Sequence, residues 1–490
     1  MVELTIVLKN VDDVDDTDDA EKVVKYLVKW KEGSYLHTTW EDEEKLIALG
    51  GKQRLLNFVR KWDDLTKWEV DDRGGEYFDP SYAEIERVYA SKLDVDHKEA
   101  AEAGGDGSQS DEEGGGTHTK YLCKWRNLQY SDSTWEKREA VVESVGEEEA
   151  AVMLDMHERF CALPDLDTRR RRARPEVVQK MNKSDTPDFV GSCVFKANQL
   201  REYQKEGVNW LVYNWVQHRG SILADEMGLG KTVQATGFIS WLFQQNNRRG
   251  PFLVVAPLSV IPNWLREIEG WTEMNAIVFH GNQQSREAIF KHEFFFTDPE
   301  TGKDVTRDQD GSRIYKFHVL ITTWEVVMND KDRADGVLSE IPWDAVIVDE
   351  AHRLKNKESK TFTSLQGFKA IPPCARDCNI DPAHCVLMTG TPLQNNTEEL
   401  WCLLHFLAPD AFADLDEFVA TYGNPPTPTQ VPLCTSPACC SARSLSLSLS
   451  LMHARTHTHT HTLTHAHTQT HRHIRADAGA AVCERVCPCA

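Results

Sequence analysis

The sequence predicts a multidomain chain: two small α+β repeats, each a short antiparallel sheet with a helix, then one α/β lobe on a parallel sheet. Three observations predict it. Tyr26-Leu-Val-Lys-Trp30 and Thr39-Trp40-Glu41 return 95 residues later as Tyr121-Leu-Cys-Lys-Trp125 and Thr134-Trp135-Glu136, with eight of sixteen positions identical. From Leu200 to about Ala420, short apolar strands alternate with amphipathic helices, the pattern of a parallel sheet covered on both faces. After Gly423, dipeptide alternation replaces both patterns.

The first repeat spans residues 1–75. It reads as a strand ending in Lys-Trp, a polar turn, a second strand closed by Thr-Trp-Glu, and a charged helix. Its N-terminal strand is expected to be missing or replaced by the acidic run Asp12–Glu21. The second repeat, 76–165, is interrupted from Asp94 to Gly116 by Gly, Asp and Glu with little to bury, a disordered acidic loop. Residues 166–198 form a basic linker. Its run Arg169–Arg174 is a nuclear import signal, a DNA-backbone contact or a solvated charge run.

The lobe, 199–423, has strands at Ile222–Ala224, Phe252–Ala256, Val319–Thr322, Ala345–Val348 and Val386–Met388. In the tail, 424–490, Ser444–Leu451 alternates Ser with Leu and Thr456–Thr462 alternates Thr with His. A (CT)n and a (CA)n repeat read in triplets encode those pairs, so the tail is expected to be translated intron or misjoined sequence. A genuine low-complexity tail or a His-rich metal site are the alternatives.

The net charge of −22 is unevenly placed: residues 1–165 hold 40 acidic and 21 basic side chains. That excludes a simple basic DNA-coating protein and leaves DNA binding open to the nearly neutral lobe. No stretch approaches the roughly 18 apolar residues of a membrane span, and the acidic N-terminus does not read as a signal peptide. Seven of the 13 cysteines precede residue 430 and are scattered, as free thiols are in a reducing compartment. The reading is a soluble intracellular protein with no membrane partner. Cys374, Cys378, His384 and Cys385 lie in an extra stretch between Ala370 and Val386, as a poorly spaced zinc set or as free thiols.

The chemistry is concentrated in the lobe. Asp225-Glu226-Met227-Gly228-Leu229-Gly230-Lys231-Thr232 lies between a strand and a helix starting near Lys231. Glycines let backbone N–H groups close around phosphate oxygens, and the helix N-terminus adds partial positive charge. Lys231 would meet the β- and γ-phosphates and the Thr232 hydroxyl would bind Mg²⁺. A strict phosphate-loop pattern wants Gly where Asp225 stands.

Ala345-Val-Ile-Val-Asp349-Glu350-Ala351-His352 is an apolar strand delivering two carboxylates at its C-terminal end, 118 residues after Lys231. Ligands bind there in an open α/β sheet. Asp349 would hold Mg²⁺, and Glu350 would orient or deprotonate an attacking water. Leu200-Arg-Glu-Tyr-Gln204 offers an aromatic and an amide suited to reading adenine. In Met388-Thr389-Gly390-Thr391-Pro392, the hydroxyls are placed to sense nucleotide state.

Together with Pro257-Leu-Ser-Val-Ile-Pro-Asn-Trp264, these segments resemble the first lobe of Swi/Snf-type helicase-like ATPases. With two Trp-bearing repeats upstream, the chain resembles the chromodomain-helicase-DNA-binding family of nucleosome remodellers. The resemblance implies tandem chromodomains and a RecA-like P-loop lobe that uses ATP and Mg²⁺ to translocate on double-stranded DNA in nucleosomes, in the nucleus. It implies that Gln204, Asp225–Thr232, Asp349 and Glu350 bind or hydrolyse ATP. It further implies that His352, Thr389, Gly390 and Thr391 couple hydrolysis to DNA. Pro257, Leu258, Ser259, Thr322, Thr323 and Trp324 would touch the DNA backbone.

In that family a second lobe supplies an arginine finger. None is read in this sequence, which implies a loss of about 10³ to 10⁵ in turnover and poor hydrolysis by the chain alone. A non-catalytic chromatin-binding module is the alternative. Trp30, Trp40, Trp125 and Trp135 are candidates for histone-tail contact. Trp30 and Trp125 are cage walls for methyl-lysine or core residues, because Gly33 and Leu128 stand where a cage wants a second aromatic.

Overall fold

The structure is a computed structural model and describes residues 4–12, 23–31, 33–64, 78–95, 117–164, 188–196, 199–245, 249–297, 303–305, 314–330, 336–369, 384–390 and 397–422. Most of the acidic insert, Arg169–Arg174, Cys374, Cys378, Thr391 and the tail lie outside the described residues. The chain divides into two compact units, Met1–Ala162 with Gly281–Thr297, and Leu163–His280 with Asp298–Ala490. Residues 281–297, expected within the lobe, thus cluster with the N-terminal unit.

The first unit holds two three-stranded antiparallel sheets of the same order. In one, β1 (Leu4–Asp12), β2 (Val23–Trp30) and β3 (Thr39–Asp42) lie side by side, with Leu4 opposite Trp30 and Asp12 opposite Val23. The N-terminal strand expected to be missing is therefore present. Its apolar run Leu4–Leu8, broken only by Thr5, lies upstream of the acidic run Asp12–Glu21. The other sheet is β4 (Ile85–Val95), β5 (Thr117–Trp125) and β6 (Thr134–Lys137). Asp94 and Val95 pair with His118 and Thr117, so β4 extends into the first residues assigned to the acidic loop. Helices α1 (Glu43–Ala48) and α2 (Lys52–Asp64) follow the first sheet, and α3 (Arg138–Val145) and α4 (Glu147–Cys161) the second.

The repeated residues make the same bonds in both copies. Trp30 Nε1–H donates to Thr39 Oγ1 (2.9 Å), whose hydroxyl donates to Glu41 Oε1 (2.8 Å). Trp125 Nε1–H donates to Thr134 Oγ1 (3.0 Å), and that hydroxyl donates to Glu136 Oε1 (2.6 Å). The buried Glu41 and Glu136 carboxylates and the buried Trp125 indole all need partners, and one threonine in each copy serves ring and carboxylate together. This is why Lys-Trp and Thr-Trp-Glu recur as a set.

In the second unit, α5 (Glu202–Val216) precedes a six-stranded parallel sheet. Its strands in chain order are β7 (Ser221–Leu223), β8 (Phe252–Ala256), β9 (Ala276–Phe279), β10 (Val319–Thr323), β11 (Ala345–Val348) and β12 (His384–Met388). The spatial order is β7-β12-β11-β8-β10-β9, and neighbouring strands run parallel. β8, β10, β11 and β12 are buried along their whole length, which is why β8 and β11 read as unbroken apolar runs and β10 and β12 carry polar residues only at one end. Helices α6 (Lys231–Gln245) and α7 (Ile261–Trp271) pack Phe238, Ile239, Trp264 and Ile268 into that core. His384 and Cys385 begin β12 and are each 3% exposed, so they are sheet core and not part of a zinc-binding loop.

Between β9 and β10 the chain adds α8 (Gln283–Glu293) to the first unit. Arg87 Nε lies 2.8 Å from Glu293 Oε1, and Arg87 Nη2 donates to Glu293 Oε2 (3.1 Å). The Tyr130 hydroxyl reaches Glu293 Oε1 at 3.4 Å, and Ser131 N–H donates to Ser285 Oγ (3.1 Å). The His292 ring meets Tyr89 and Trp135 edge to face.

Candidate nucleotide site at the strand ends

The turn from β7 into α6 is the loop singled out in the sequence. Gly228 and Gly230 have φ of 87° and 75°, a region that costs other residues roughly 1 kcal/mol or more. A Cβ on Gly230 would fall 2.5 Å from Gln204 Nε2, so a side chain there would also push that amide off the loop. The Lys231 ammonium donates to the carbonyls of Asp225 (2.9 Å) and Glu226 (3.2 Å), which keeps its charge within the loop. Asp225 does not point outward: it is 7% exposed and its Oδ2 accepts from Gln234 Nε2 of α6 (2.7 Å). The residue that departs from the strict pattern thus ties the loop to the helix behind it.

Gln204 sits in the first turn of α5. Its Oε1 accepts from Arg201 N–H (3.0 Å) and its Nε2 donates to the Leu229 carbonyl (3.4 Å). The amide expected to read a base therefore braces the loop. Met227 is 73% exposed, and its side chain lies against Gly390, where an added Cβ would meet Met227 Cε at 3.0 Å. Thr389 N–H donates to the Leu223 carbonyl (3.1 Å). Two of the expected coupling residues are thus placed at the loop, while Thr391 lies outside the described residues.

Asp349 follows β11, and its N–H donates to the Val255 carbonyl of β8 (2.8 Å). Trp264 Nε1–H donates to Asp349 Oδ2 (2.9 Å), and Glu350 N–H donates to Oδ1 (2.9 Å). Burial raises the Asp349 carboxyl pKa above its ordinary value, while these two donors and the Lys231 charge oppose the rise. Glu350 adopts the left-handed conformation (φ 50°), a strain of the kind found at functional turns. Its Oε2 lies 3.0 Å from His352 Nδ1, so the second and fourth residues of Asp349-Glu350-Ala351-His352 pair with each other.

These residues suit a magnesium nucleotide. Among the described residues, no three His, Cys, Asp or Glu side chains group to hold a metal by themselves. Mg²⁺ characteristically takes one or two protein oxygens and completes its shell with phosphates and water, and Asp349 and Thr232 can supply those two.

The other expected contacts divide. Leu258 is 55% exposed and Ser259 is exposed, with Pro257 partly so. Thr322, Thr323 and Trp324 are 0, 0 and 1% exposed, and the Thr322 hydroxyl donates to the Phe279 carbonyl (2.8 Å). Their side chains belong to the core, which leaves only the main chain of that segment for a contact with DNA. Trp125, 1% exposed, is likewise core and not a cage wall. Trp30 is half-buried against the first repeat's core, Trp40 is exposed, and Trp135 lies under the Lys92 ammonium, 4.3 Å from the ring centre. Sequence reasoning quoted Trp264 within a motif without a role. Its only signal was an aromatic N–H donor one turn into the helix after Pro257–Ser259.

A six-stranded parallel sheet with a glycine-rich loop between its edge strand β7 and a helix, and paired carboxylates at the same end of β11, one strand removed, defines a RecA-like P-loop lobe. Residues 203–476 match the SNF2-related domain, and residues 9–59 and 84–149 match the chromo (chromatin organisation modifier) domain. The chain belongs to the SNF2-related family and carries tandem chromodomains. The first match extends past Gly423 into the segment that the sequence sets apart as a tail.

Among similar proteins, chromodomain-helicase-DNA-binding protein 7 of Gallus gallus is 39% identical over 84% of this chain and 12% of its own length. The corresponding protein 8 of Xenopus tropicalis is 39% identical over 84% and 16%. Protein 6 of Homo sapiens is 38% identical over 88% and 14%. The chain thus spans less than a fifth of the curated relatives it matches. Among the described residues, no helix is long and apolar enough to cross a membrane.

Proposed function

We propose that this chain is the chromodomain and first-lobe portion of an ATP-dependent chromatin remodeller that acts on nucleosomal DNA in the nucleus. The observation that carries the reading is the placement of Lys231 and Asp349 at the same end of one parallel sheet, close enough for the lysine's charge to act on the carboxyl. Residues 1–75 and 76–165 are the two chromodomains, 199–423 the lobe, and 424–490 a tail outside the motor.

In this reading the amides of Gly228–Lys231 and the Lys231 ammonium hold the terminal phosphates of ATP. Thr232 and Asp349 would hold Mg²⁺, which when bound would supply positive charge to the phosphoryl group being transferred. Glu350 orients the attacking water and takes its proton once its carboxylate turns from His352. Gln204 stays on the loop and reports adenine through Leu229. Met227 against Gly390 carries nucleotide state to the Thr389 segment. Pro257, Leu258 and Ser259 meet the DNA backbone, and Trp40 offers an exposed ring to a histone tail.

Equilibrium binding of a fluorescent ATP analogue to the 490-residue chain tests the site. Lys231→Ala should weaken binding at least about tenfold, because a charge-assisted contact to phosphate is lost. Equal binding by the wild type and Lys231→Ala would remove the reading.

A further inference from the structure

Asp349 has its backbone fixed by the bond to Val255, so only the turn of its side chain decides where the carboxylate faces. One oxygen is held from its own neighbour, by Glu350 N–H. The other is held from a different element, by the Trp264 indole on α7. Trp264 is 0% exposed within the main core cluster, so the donor cannot swing.

The bond is not forced by burial of the indole alone. Trp324 and Trp401, also buried in this lobe, have Nε1 atoms without a hydrogen-bond partner among the described residues. The lobe tolerates a buried indole N–H that makes no bond, yet at Trp264 it aims one at the carboxylate beside the phosphate loop.

We propose that Trp264 is a positioning residue for the metal-binding carboxylate: its indole N–H commits Asp349 Oδ2 and thereby presents the rest of the group to Mg²⁺. This rests on the assignment of Asp349 as the magnesium ligand in the proposed function. Groups that orient a metal ligand from behind typically change metal affinity by about 10- to 100-fold when removed. The indole would make no contact with nucleotide, and its effect would appear only when the metal is present.

The test is binding of a fluorescent ATP analogue to the whole chain across a Mg²⁺ titration and in EDTA. Trp264→Phe keeps an aromatic ring and loses the donor. It should raise the half-saturating Mg²⁺ concentration about tenfold or more, with binding in EDTA unchanged within about twofold. Trp343→Phe is the matched control: its buried indole donates to the Leu338 carbonyl (3.0 Å), away from the site. That variant should lower thermal stability and leave the Mg²⁺ dependence alone.

An unchanged Mg²⁺ curve in Trp264→Phe overturns the proposal, as does an equal shift in both variants, which would be general loosening. A wild-type chain that binds no analogue at any Mg²⁺ concentration overturns the function it rests on as well. If Trp264→Phe does not fold, the indole ¹⁵N–H resonance of Trp264 in the wild type decides. It should move when Mg²⁺ is added to the nucleotide-bound chain, and a resonance that stays in place overturns the proposal.

Discussion

Replacing Glu293 with leucine tests how α8 is held in the first unit. The side chains of Arg87 and Glu293 are 16% and 1% exposed, and they meet through contacts of 2.8 and 3.1 Å. Removing one member of a buried pair costs about 3–5 kcal/mol, because the other charge is left without compensation. Arg87 retains some contact with water, so the lower end, about 3 kcal/mol, is expected. For a unit of this size a kilocalorie corresponds to about 2–4 °C, which gives a fall of roughly 6–12 °C in its melting temperature. Calorimetry on the full chain reads that fall, and hydrogen exchange at the α8 amides assigns it to this unit. The double variant Arg87→Met with Glu293→Leu removes both charges and should recover most of the loss. A single variant within about 2 °C of the wild type, or a double no better than the single, would refute the reasoning.

Thr134→Val removes the hydroxyl shared by Trp125 and Glu136 and should cost about 1–3 kcal/mol in chemical denaturation of the chromodomain unit. Gly230→Ala places a Cβ 2.5 Å from Gln204 Nε2 at a φ of 75°, and analogue binding should fall at least about tenfold while the lobe loses on the order of 1–3 kcal/mol. His318 is buried, accepts from Asn275 N–H at Nδ1 (2.8 Å) and faces the Arg249 guanidinium. Burial, then that charge, lowers its pKa from 6.5 to about 3. The unfolded chain takes up a proton that the folded lobe refuses, so stability should fall as pH drops from 6.5 toward 3, by about 2 kcal/mol at pH 5. His318→Asn keeps an acceptor and cannot titrate, so its denaturation midpoint should show a flatter dependence over that range.

Much of the lobe was legible because buried parallel strands leave unmistakable runs. Phe252–Ala256 and Ala345–Val348 were read with the bounds they have, and the helix after the phosphate loop begins at Lys231 as expected. The short strand β9, Ala276–Phe279, is not among the strands read from the sequence. The burial of Thr322, Thr323 and Trp324 is not legible in their polarity: only the lie of β10 inside the sheet puts their side chains in the core.

The sequence by itself determined where the chain must bend around a phosphate, where two carboxylates end a strand, and that one Trp-Thr-Glu pattern is used twice. Each is a local matter of spacing, glycine and apolar period. Only the tertiary structure decided that Trp264 faces Asp349 across 85 residues of chain, that Asp225 turns inward to Gln234, and that Gln283–Glu293 packs with the chromodomains. Trp264 and Asp349 lie 85 residues apart and Arg87 and Glu293 206 apart, while Asp225 and Gln234, only nine apart, meet because the loop turns back onto the helix that follows it. Such contacts leave no periodic trace, because they depend on where separate elements come to rest against each other.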